Sequence, residues 1–138
     1  MDKFPYPAED PLIRPFWEWA SRGELRLPRL KDGSFDWYPT DPDAEWVPVS
    51  RRGTLFSWVE VHRPLHPGYA AMSPYVSAIV QLEDASDIRL VTRLVDLDGP
   101  PVAGMPVEVV FEDAAYPGGE SGLRAPLFRP ARETVQAA

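Results

Sequence analysis

The chain has 138 residues, a hydrophobic fraction of 44% and five tryptophans, so it is expected to form one compact domain with a packed core rather than a disordered segment. Its formal net charge of −7 argues against a function in which phosphate contacts supply the binding energy, because such a function needs a positive surface. The absence of cysteine excludes disulfides, thiolate catalysis and every cysteine-based zinc or iron–sulfur site.

Two further features of the sequence set expectations about its class. Seventeen prolines favour strands and turns over long helices, because proline removes a hydrogen bond from a helix interior and clashes with the preceding turn. The first five residues (MDKFP) lack the basic and then apolar order of a secretory signal, and no apolar run reaches the ~20 residues that a membrane-spanning helix needs. We therefore expect a cytoplasmic protein that does not enter a membrane.

Residues 1–23 are predicted to form a proline-punctuated arm followed by a short helix. Pro15 suits the first turn of that helix, and Gly23 suits the left-handed position just past its end. A helix of two turns does not persist alone in water. The aromatic side chains that it carries, Phe16, Trp17 and Trp19, must therefore dock on this domain or on a partner.

Residues 24–52 are predicted to form two or three short strands. Asp32-Gly33 is a hairpin signal, and the segment is rich in aromatic residues but poor in aliphatic ones. The aromatic residues are Phe35, Trp37, Tyr38 and Trp46. With so few aliphatic side chains, the segment is not expected to have a core of its own.

From residue 53 onward the apolar residues alternate as they do in strands with one buried face. A first strand is predicted at about 54–63, and a short final strand at 123–128. Three strands between them are indicated by three alternating sets of apolar residues: Val76, Ala78, Val80 and Leu82; Ile88, Leu90 and Leu94; and Val107, Val109 and Phe111. About five strands in so short a segment predict a small closed or nearly closed barrel, because closure removes exposed strand edges.

The two faces of the first of these strands carry different residues. Strict alternation places Leu55 and Val59 together on the face that fills the barrel. Phe56, Trp58 and Glu60 would then share the opposite face, outside the barrel. Three roles remain open for these aromatic residues: packing under the N-terminal helix, forming a subunit interface, or supporting an adenine ring or pantetheine chain.

Short stretches of sequence follow one another in a recognisable order. They are residues 15–18 (PFWE), 23–25 (GEL), 38–39 (YP), 46–47 (WV), 51–57 (RRGTLFS), 74–80 (PYVSAIV), 104–109 (GMPVEV) and 126–130 (PLFRP). In this order and spacing they resemble a family of small proteins built from a zinc ribbon and an OB-fold barrel, associated with acyl-CoA and thiolase-like enzymes and long catalogued as a domain of unknown function. Arg51 stands where that family has the first of two glycines.

The resemblance covers residues 12–131 and implies a mainly β fold with four parts. An N-terminal arm and short helix would occupy residues 1–23, and a ribbon-like β segment residues 24–52. A five-stranded OB-fold barrel would occupy residues 53–131, followed by a tail at 132–138. These boundaries are expectations that follow from the family's pattern.

The ribbon segment departs from the family's pattern, which has two Cys-x-x-Cys pairs. Those pairs would fall near Arg29, Asp32, Asp41 and Ala44. A structural zinc needs four thiolate or imidazole ligands, and the segment contains neither cysteine nor histidine. We therefore expect a degenerate ribbon without zinc, held by its four aromatic side chains, since burying a large side chain contributes about 1.5–3 kcal/mol.

The resemblance implies a function as a partner rather than as an enzyme. Members of this family pair with a thiolase, an acyltransferase or a steroid side-chain aldolase, and the partner supplies the nucleophile and the base. The expectation for this chain is an accessory subunit of a hetero-oligomer with a thiolase-like protein. It would bind acyl-CoA as a ligand and hold no permanent cofactor.

Candidate site residues follow from this expectation. Arginine forks match the phosphates of CoA, and exposed aromatic residues mark binding surfaces. The candidate CoA contacts are Arg63, Arg93, Trp58 and His66. The candidate partner contacts are Phe16, Trp17, Trp19, Trp37 and Tyr38. We expect no catalytic residue and no metal ligand in this chain.

Two alternative functions are kept as hypotheses. An OB-fold barrel can bind single-stranded nucleic acid, although the negative net charge counts against it. A hydrolase of CoA thioesters would depend on His62 or His66, the only two histidines. Their spacing would suit a metal on a helix, but Pro64 and Pro67 prevent a regular helix there.

Overall fold

The structure is a computed structural model and describes residues 10–63, 74–113 and 124–132. Its elements are α1 Arg14–Ser21, β1 Arg26–Arg29, β2 Glu45–Pro48, β3 Arg52–Val61, β4 Tyr75–Leu82, β5 Ala85–Leu94, β6 Pro106–Asp113 and β7 Arg124–Pro130. The predicted mainly β fold with one short N-terminal helix is confirmed. Within the described ranges, no helix is both long and apolar enough to span a membrane.

Helix α1 begins and ends where local sequence signals place it. Proline stands in its first turn, where a missing N–H costs no hydrogen bond. At the other end Gly23 has a φ of +78°, and the N–H of Glu24 donates to the carbonyl of Trp19 at 3.0 Å. This left-handed glycine satisfies carbonyls of the last turn and stops the helix.

Strands β1 and β2 form the predicted ribbon-like segment. They pair antiparallel, with Leu27 opposite Val47. A single antiparallel bridge joins Arg29, at the end of β1, to Phe35 across a turn that contains Gly33, whose φ is +91°. The Asp32-Gly33 signal is thus confirmed as a turn, because the positive φ is a conformation that glycine adopts without steric cost.

Strands β3 to β7 close into a barrel in the order β3-β4-β5-β7-β6. All neighbouring strands are antiparallel except β5 and β7, which are parallel. This is the five-stranded Greek-key barrel of the OB-fold, as the resemblance implies. β6 pairs with β3 only along residues 52–54, so the later part of β3 extends beyond that ladder.

The barrel interior and the underside of α1 form one hydrophobic core. The apolar positions that alternation predicted on β4, β5 and β6 are buried, except Phe111, which is partly buried, and Phe128 from β7 is completely buried among them. Phe16 and Ile13 bring α1 into the same core, as do Leu25 and Leu27 from the ribbon. The helix and ribbon are therefore packed onto the barrel, and this packing stabilises a helix that is too short to persist alone in water.

Candidate functional site

The middle of β3 contains a β-bulge that reverses the predicted faces of the strand. Leu55 lies opposite Val80, but the next paired residue is Ser57, opposite Ile79, so Phe56 is the extra residue. Directly opposite residues of an antiparallel pair point to the same face. Beyond the bulge the inward and outward positions are therefore exchanged.

The exchange contradicts the alternation expected for this strand. Val59 lies opposite Ser77 on the outer face, and 57% of its surface is exposed, so it does not share the buried face of Leu55. Trp58 lies opposite the buried Ala78, on the side of the barrel interior, while the ring of Phe56 is outside. Trp58 and Glu60 do share a face, opposite Ala78 and Val76, but the prediction that Phe56 shares it is wrong, because strict alternation assumes a strand without an inserted residue.

The outer face of β3, β4 and β5 carries apolar side chains in two neighbouring cross-strand rows. One row consists of Ser57, Ile79 and Val91, and the next consists of Val59, Ser77 and Arg93. The apolar members are Ile79 and Val91 in the first row and Val59 in the second. Val91 is 74% exposed, which is the highest value among the exposed large hydrophobic residues of the described part of the chain. We call this surface, made by Phe56, Val59, Ile79 and Val91, the outer apolar face.

Two arginines flank the outer apolar face. The Arg89 guanidinium lies 4.6 Å from the ring centre of Phe56, where it covers part of that ring through a cation–π contact. Arg89 also donates to the carbonyls of Ser86 and Ile88. Arg93 forms a 3.6 Å ion pair with Glu112 of β6. The face therefore combines apolar area with the positive charge of Arg89 and the Arg93–Glu112 ion pair.

The structure separates the candidate CoA contacts. Arg93 is on the outer face of β5. Trp58 is on the inward side of β3, in the cross-strand row of Ala78 and Thr92, which is next to the row of Arg93. Arg63 is exposed just past the end of β3. His66 lies outside the described residues. The structure therefore does not bring these side chains together into one site, and their role in CoA binding stays a prediction.

His62 and Glu60 form an ion pair at the end of β3. The distance between His62 Nε2 and Glu60 Oε1 is 2.8 Å, which confirms that the two side chains share a face. Both are largely exposed, with 68% of the His62 side chain accessible. Among the described residues no group of three or more His, Asp or Glu side chains could hold a metal ion.

The candidate partner contacts differ widely in exposure. Phe16 is buried in the core and packs on Trp37 with ring centres 5.0 Å apart, which leaves little of its ring for a partner. Trp17 packs partly buried against the core. The Arg26 guanidinium covers Trp19 at 3.8 Å from the ring centre. Tyr38 alone of the five belongs to the exposed large hydrophobic residues, at 54% exposure.

The Tyr38 hydroxyl lies in a partly desolvated and negative environment. Partial burial raises the pKa of the phenol, and the nearby Asp10 carboxylate raises it further. The group is therefore a neutral hydrogen-bond donor at physiological pH. It can donate to a carbonyl or carboxylate of a partner.

Helix and ribbon are fixed to the barrel by polar contacts. The N–H of Ser50 donates to both carboxylate oxygens of Asp84 at 2.9 Å, and the N–H of Phe35 donates to Asp87 at 3.3 Å. Ser21 Oγ accepts the N–H of Arg124 at 3.1 Å. These bonds set the position of the ribbon and helix relative to the outer apolar face.

Residues 46–112 match the family model described as the ChsH2 C-terminal OB-fold domain. This match covers β2, the barrel strands β3 to β5 and most of β6. It confirms the OB-fold part of the predicted resemblance.

One chain of a solved structure described as the Ltp2-ChsH2(DUF35) aldolase is similar to this chain over more of its length. The TM-score is 0.74 and the sequence identity 28%, over 91% of this chain and 98% of that one. The alignment is long enough to include elements outside the ChsH2 OB-fold match. The structural likeness is therefore to more than the barrel.

Two curated relatives are subunits of CoA hydratases. The 3-oxo-4,17-pregnadiene-20-carboxyl-CoA hydratase alpha subunit of Mycobacterium tuberculosis is 37% identical over 106 residues, which are 71% of this chain and 33% of that protein. The probable enoyl-CoA hydratase alpha subunit of Thermomonospora curvata is 35% identical over 100 residues, 72% of this chain and 26% of that protein. The chain thus spans a third or less of the length of either relative.

The ribbon loops do not fit the zinc ion that the resemblance implies for other members. At two of the expected ligand positions stand Asp32 and Asp41, and each carboxylate accepts the N–H of the residue two positions later, at 2.9 Å. These are hard oxygen donors engaged in turns, whereas a structural zinc prefers thiolate and imidazole. That the chain works without zinc stays a prediction, supported by this donor chemistry.

A buried carboxylate that the sequence analysis missed organises the second ribbon loop. Asp36 accepts hydrogen bonds from the N–H and hydroxyl of Thr40 and from the N–H of Asp41, each 2.8 Å long. These bonds, the Thr40 N–H foremost, hold the pKa of Asp36 below its ordinary value. The only sequence signal was an aspartate placed before a Tyr-Pro-Thr-Asp turn.

Proposed function

We propose that this chain is a non-catalytic accessory subunit that binds a thiolase-like enzyme and helps to bind or enclose an acyl-CoA substrate. The observation that carries the proposal is its likeness, over 91% of its length, to one chain of the Ltp2-ChsH2(DUF35) aldolase. The name of that aldolase joins two proteins, Ltp2 and ChsH2, and both hydratase relatives are named as alpha subunits, that is, as one subunit of a larger enzyme. A role within a hetero-oligomer is the function that agrees with all three.

The chemistry of the described residues supports a binding role. The one histidine among them, His62, is solvent-exposed and paired with Glu60. A general base acts on a substrate held within hydrogen-bond reach, in a site from which water is largely excluded. The partner would supply such a site, and this chain would raise the rate by positioning the acyl-CoA or closing the site.

The candidate CoA contacts can serve this role in a shared site. Arg93 is half-buried and its partner Glu112 is exposed; ion pairs near the surface contribute only about 0–1 kcal/mol, so a phosphate of CoA could displace Glu112 at little cost. Arg63 at the end of β3 and His66 in the following segment would approach the ligand only when a partner completes the site.

The test is binding between two purified proteins. This chain is titrated with the protein of the same organism that is most similar to Ltp2, with and without an acyl-CoA, by isothermal titration calorimetry. We expect a complex with a Kd in or below the micromolar range, tightened by acyl-CoA. Binding of a single-stranded oligonucleotide with steep salt dependence, and no binding of the enzyme, would contradict the proposal.

A further inference from the structure

We propose that the partner enzyme docks on the outer apolar face of β3, β4 and β5, centred on Val91, and that its contacting surface is apolar with an acidic rim. The inference rests on the proposed function, because it names the surface through which that function would operate. The candidate partner contacts from the sequence were the aromatic residues of the helix and ribbon, and a subunit interface was left open for Phe56, so only Phe56 belongs to both.

The outer apolar face has the composition of an interface centre. Val91, Val59 and Phe56 are 74%, 57% and 53% exposed, and cross-strand pairing places Ile79 between the two strands that carry them. Scattered exposed hydrophobic residues are ordinary, but a contiguous set on adjacent strands marks a binding surface. The bulge at Phe56 creates this set, because it turns Val59 outward.

The shape of this surface suits a protein rather than a small molecule. Small ligands bind in concave pockets that bury most of their surface, whereas the outside of a barrel is convex. A cavity of about 680 Å³ does exist, but residues 96–98 and 129–132 line it, away from the outer apolar face. A folded partner can cover a convex face with a complementary surface of its own.

The charge of this surface favours a different protein over a second copy of this chain. Arg89 places a positive charge beside the apolar side chains, and Arg93 lies at the same face in an ion pair with Glu112, in a chain whose net charge is −7. A two-fold contact of the face with itself would bring each arginine near those of the other copy. An acidic rim on a partner enzyme would instead be attracted, and would steer the encounter.

The test uses two matched valines of the same chain. Val91→Asp places a charge at the centre of the outer apolar face, whereas Val102→Asp places it at a position of similar exposure, 63%, in the loop before β6. Binding of the Ltp2-like protein from the same organism is measured for both. We expect Val91→Asp to weaken the Kd about thirtyfold or more, as loss of an interface anchor does, and Val102→Asp to change it less than about threefold.

Two additional variants separate the possible outcomes. Arg89→Glu should also weaken binding and make the remaining binding less sensitive to salt, since it reverses a charge that faces the acidic rim. Tyr38→Ala tests the aromatic alternative. Wild-type binding that Val91→Asp leaves unchanged, or that Tyr38→Ala abolishes instead, would overturn the inference and keep the proposed function. Failure of the wild-type chain to bind would refute the proposed function itself.

Self-association has its own readout. Light scattering of the wild-type chain alone, at concentrations up to about 100 µM, should show a monomer. A dimer that Val91→Asp dissociates and Val102→Asp leaves intact would show that a second copy covers the face, and would overturn the inference. Far-UV circular dichroism checks that each variant is folded, and both valines are surface positions where a substitution has little effect on stability.

Discussion

Single carboxylates organise the turns of the ribbon loops. Asp36 receives three hydrogen bonds, and Asp32 accepts both the N–H and the hydroxyl of Ser34. Each carboxylate binds backbone N–H and hydroxyl groups within five residues of itself. These bonds fix turns rather than a core, and the aromatic side chains Phe35, Trp37 and Trp46 supply the packing against the rest of the molecule.

Asp36→Asn should destabilise the fold while keeping the size of the side chain. The amide oxygen can still accept the N–H groups of Thr40 and Asp41, and the amide N–H₂ can donate to the Thr40 hydroxyl, but the acceptor loses its negative charge. Hydrogen bonds to a charged acceptor are stronger than those to a neutral one. We expect the free energy of unfolding at pH 7, measured with urea, to fall by about 1–3 kcal/mol. Asp43→Asn is the control, because Asp43 is exposed in the same loop, and it should shift stability by less than about 0.5 kcal/mol.

The effect of Asp36→Asn on the free energy of unfolding should depend on pH. The pKa of Asp36 is lower in the folded protein than in the unfolded chain. Its stabilisation is therefore fully present above the ordinary aspartate pKa of about 4 and is lost as the pH falls through the folded value. The stability difference between wild type and Asp36→Asn should shrink in acid. A difference that stays constant from pH 7 to pH 3 would contradict the assigned hydrogen bonds.

At the scale of elements, the start of β3 depends on a close approach to β4. A Cβ added at Gly53 would lie 2.3 Å from the backbone carbonyl oxygen of Gln81. Since both strands are fixed by the barrel ladder, neither backbone can move away without breaking pairs. This explains physically why a glycine stands at the opening of the first barrel strand, one of the stretches on which the resemblance rests.

Gly53→Ala should therefore be costly although it adds a single methyl group. We expect a loss of about 2 kcal/mol or more in unfolding free energy, because the clash is with backbone. Gly99→Ala serves as the control, since nothing lies within 4 Å of the Cβ that it would add. Equal melting temperatures of the two variants would show that β3 and β4 can separate at this point.

The sequence predicted elements where local signals suffice, and failed where a neighbouring strand decides. Gly23 and Gly33 mark turns that any chain with those residues would make, and alternation identified the buried faces of β4, β5 and β6. The bulge at Phe56 has no local signal, because it follows from the register between two strands. For this reason the predicted inward position of Val59 was wrong, and the outer apolar face could not be predicted from the sequence.

At the scale of the whole molecule, helix, ribbon and barrel are joined into one unit. Arg51 donates to the carbonyl of Gly23, and the guanidinium groups of Arg51 and Arg124 lie 5.5 and 5.6 Å from the centre of the Phe111 ring. Helix and ribbon thus cover one part of the barrel and leave the outer face of β3 to β5 exposed. Such a unit is suited to present a fixed surface, since preorganisation lowers the entropic cost of binding.

The charge distribution fits this arrangement at the same scale. A net charge of −7 keeps the chain from binding anions indiscriminately, while two arginines concentrate positive charge beside the exposed valines. Which enzyme binds there could not be predicted from this chain's residues, because specificity also depends on the partner's surface. The resemblance supplied the class of partner, and the structure supplies the candidate surface.

The most direct test of the central claim is acyl-CoA turnover measured in three samples: the Ltp2-like enzyme alone, this chain alone, and their mixture. We expect no turnover by this chain alone and at least about tenfold higher kcat/KM for the mixture than for the enzyme alone, as when a subunit positions the substrate. His62→Ala should leave the activity of the mixture unchanged. Turnover by the isolated chain that His62→Ala abolishes would contradict the account and identify the chain as an enzyme.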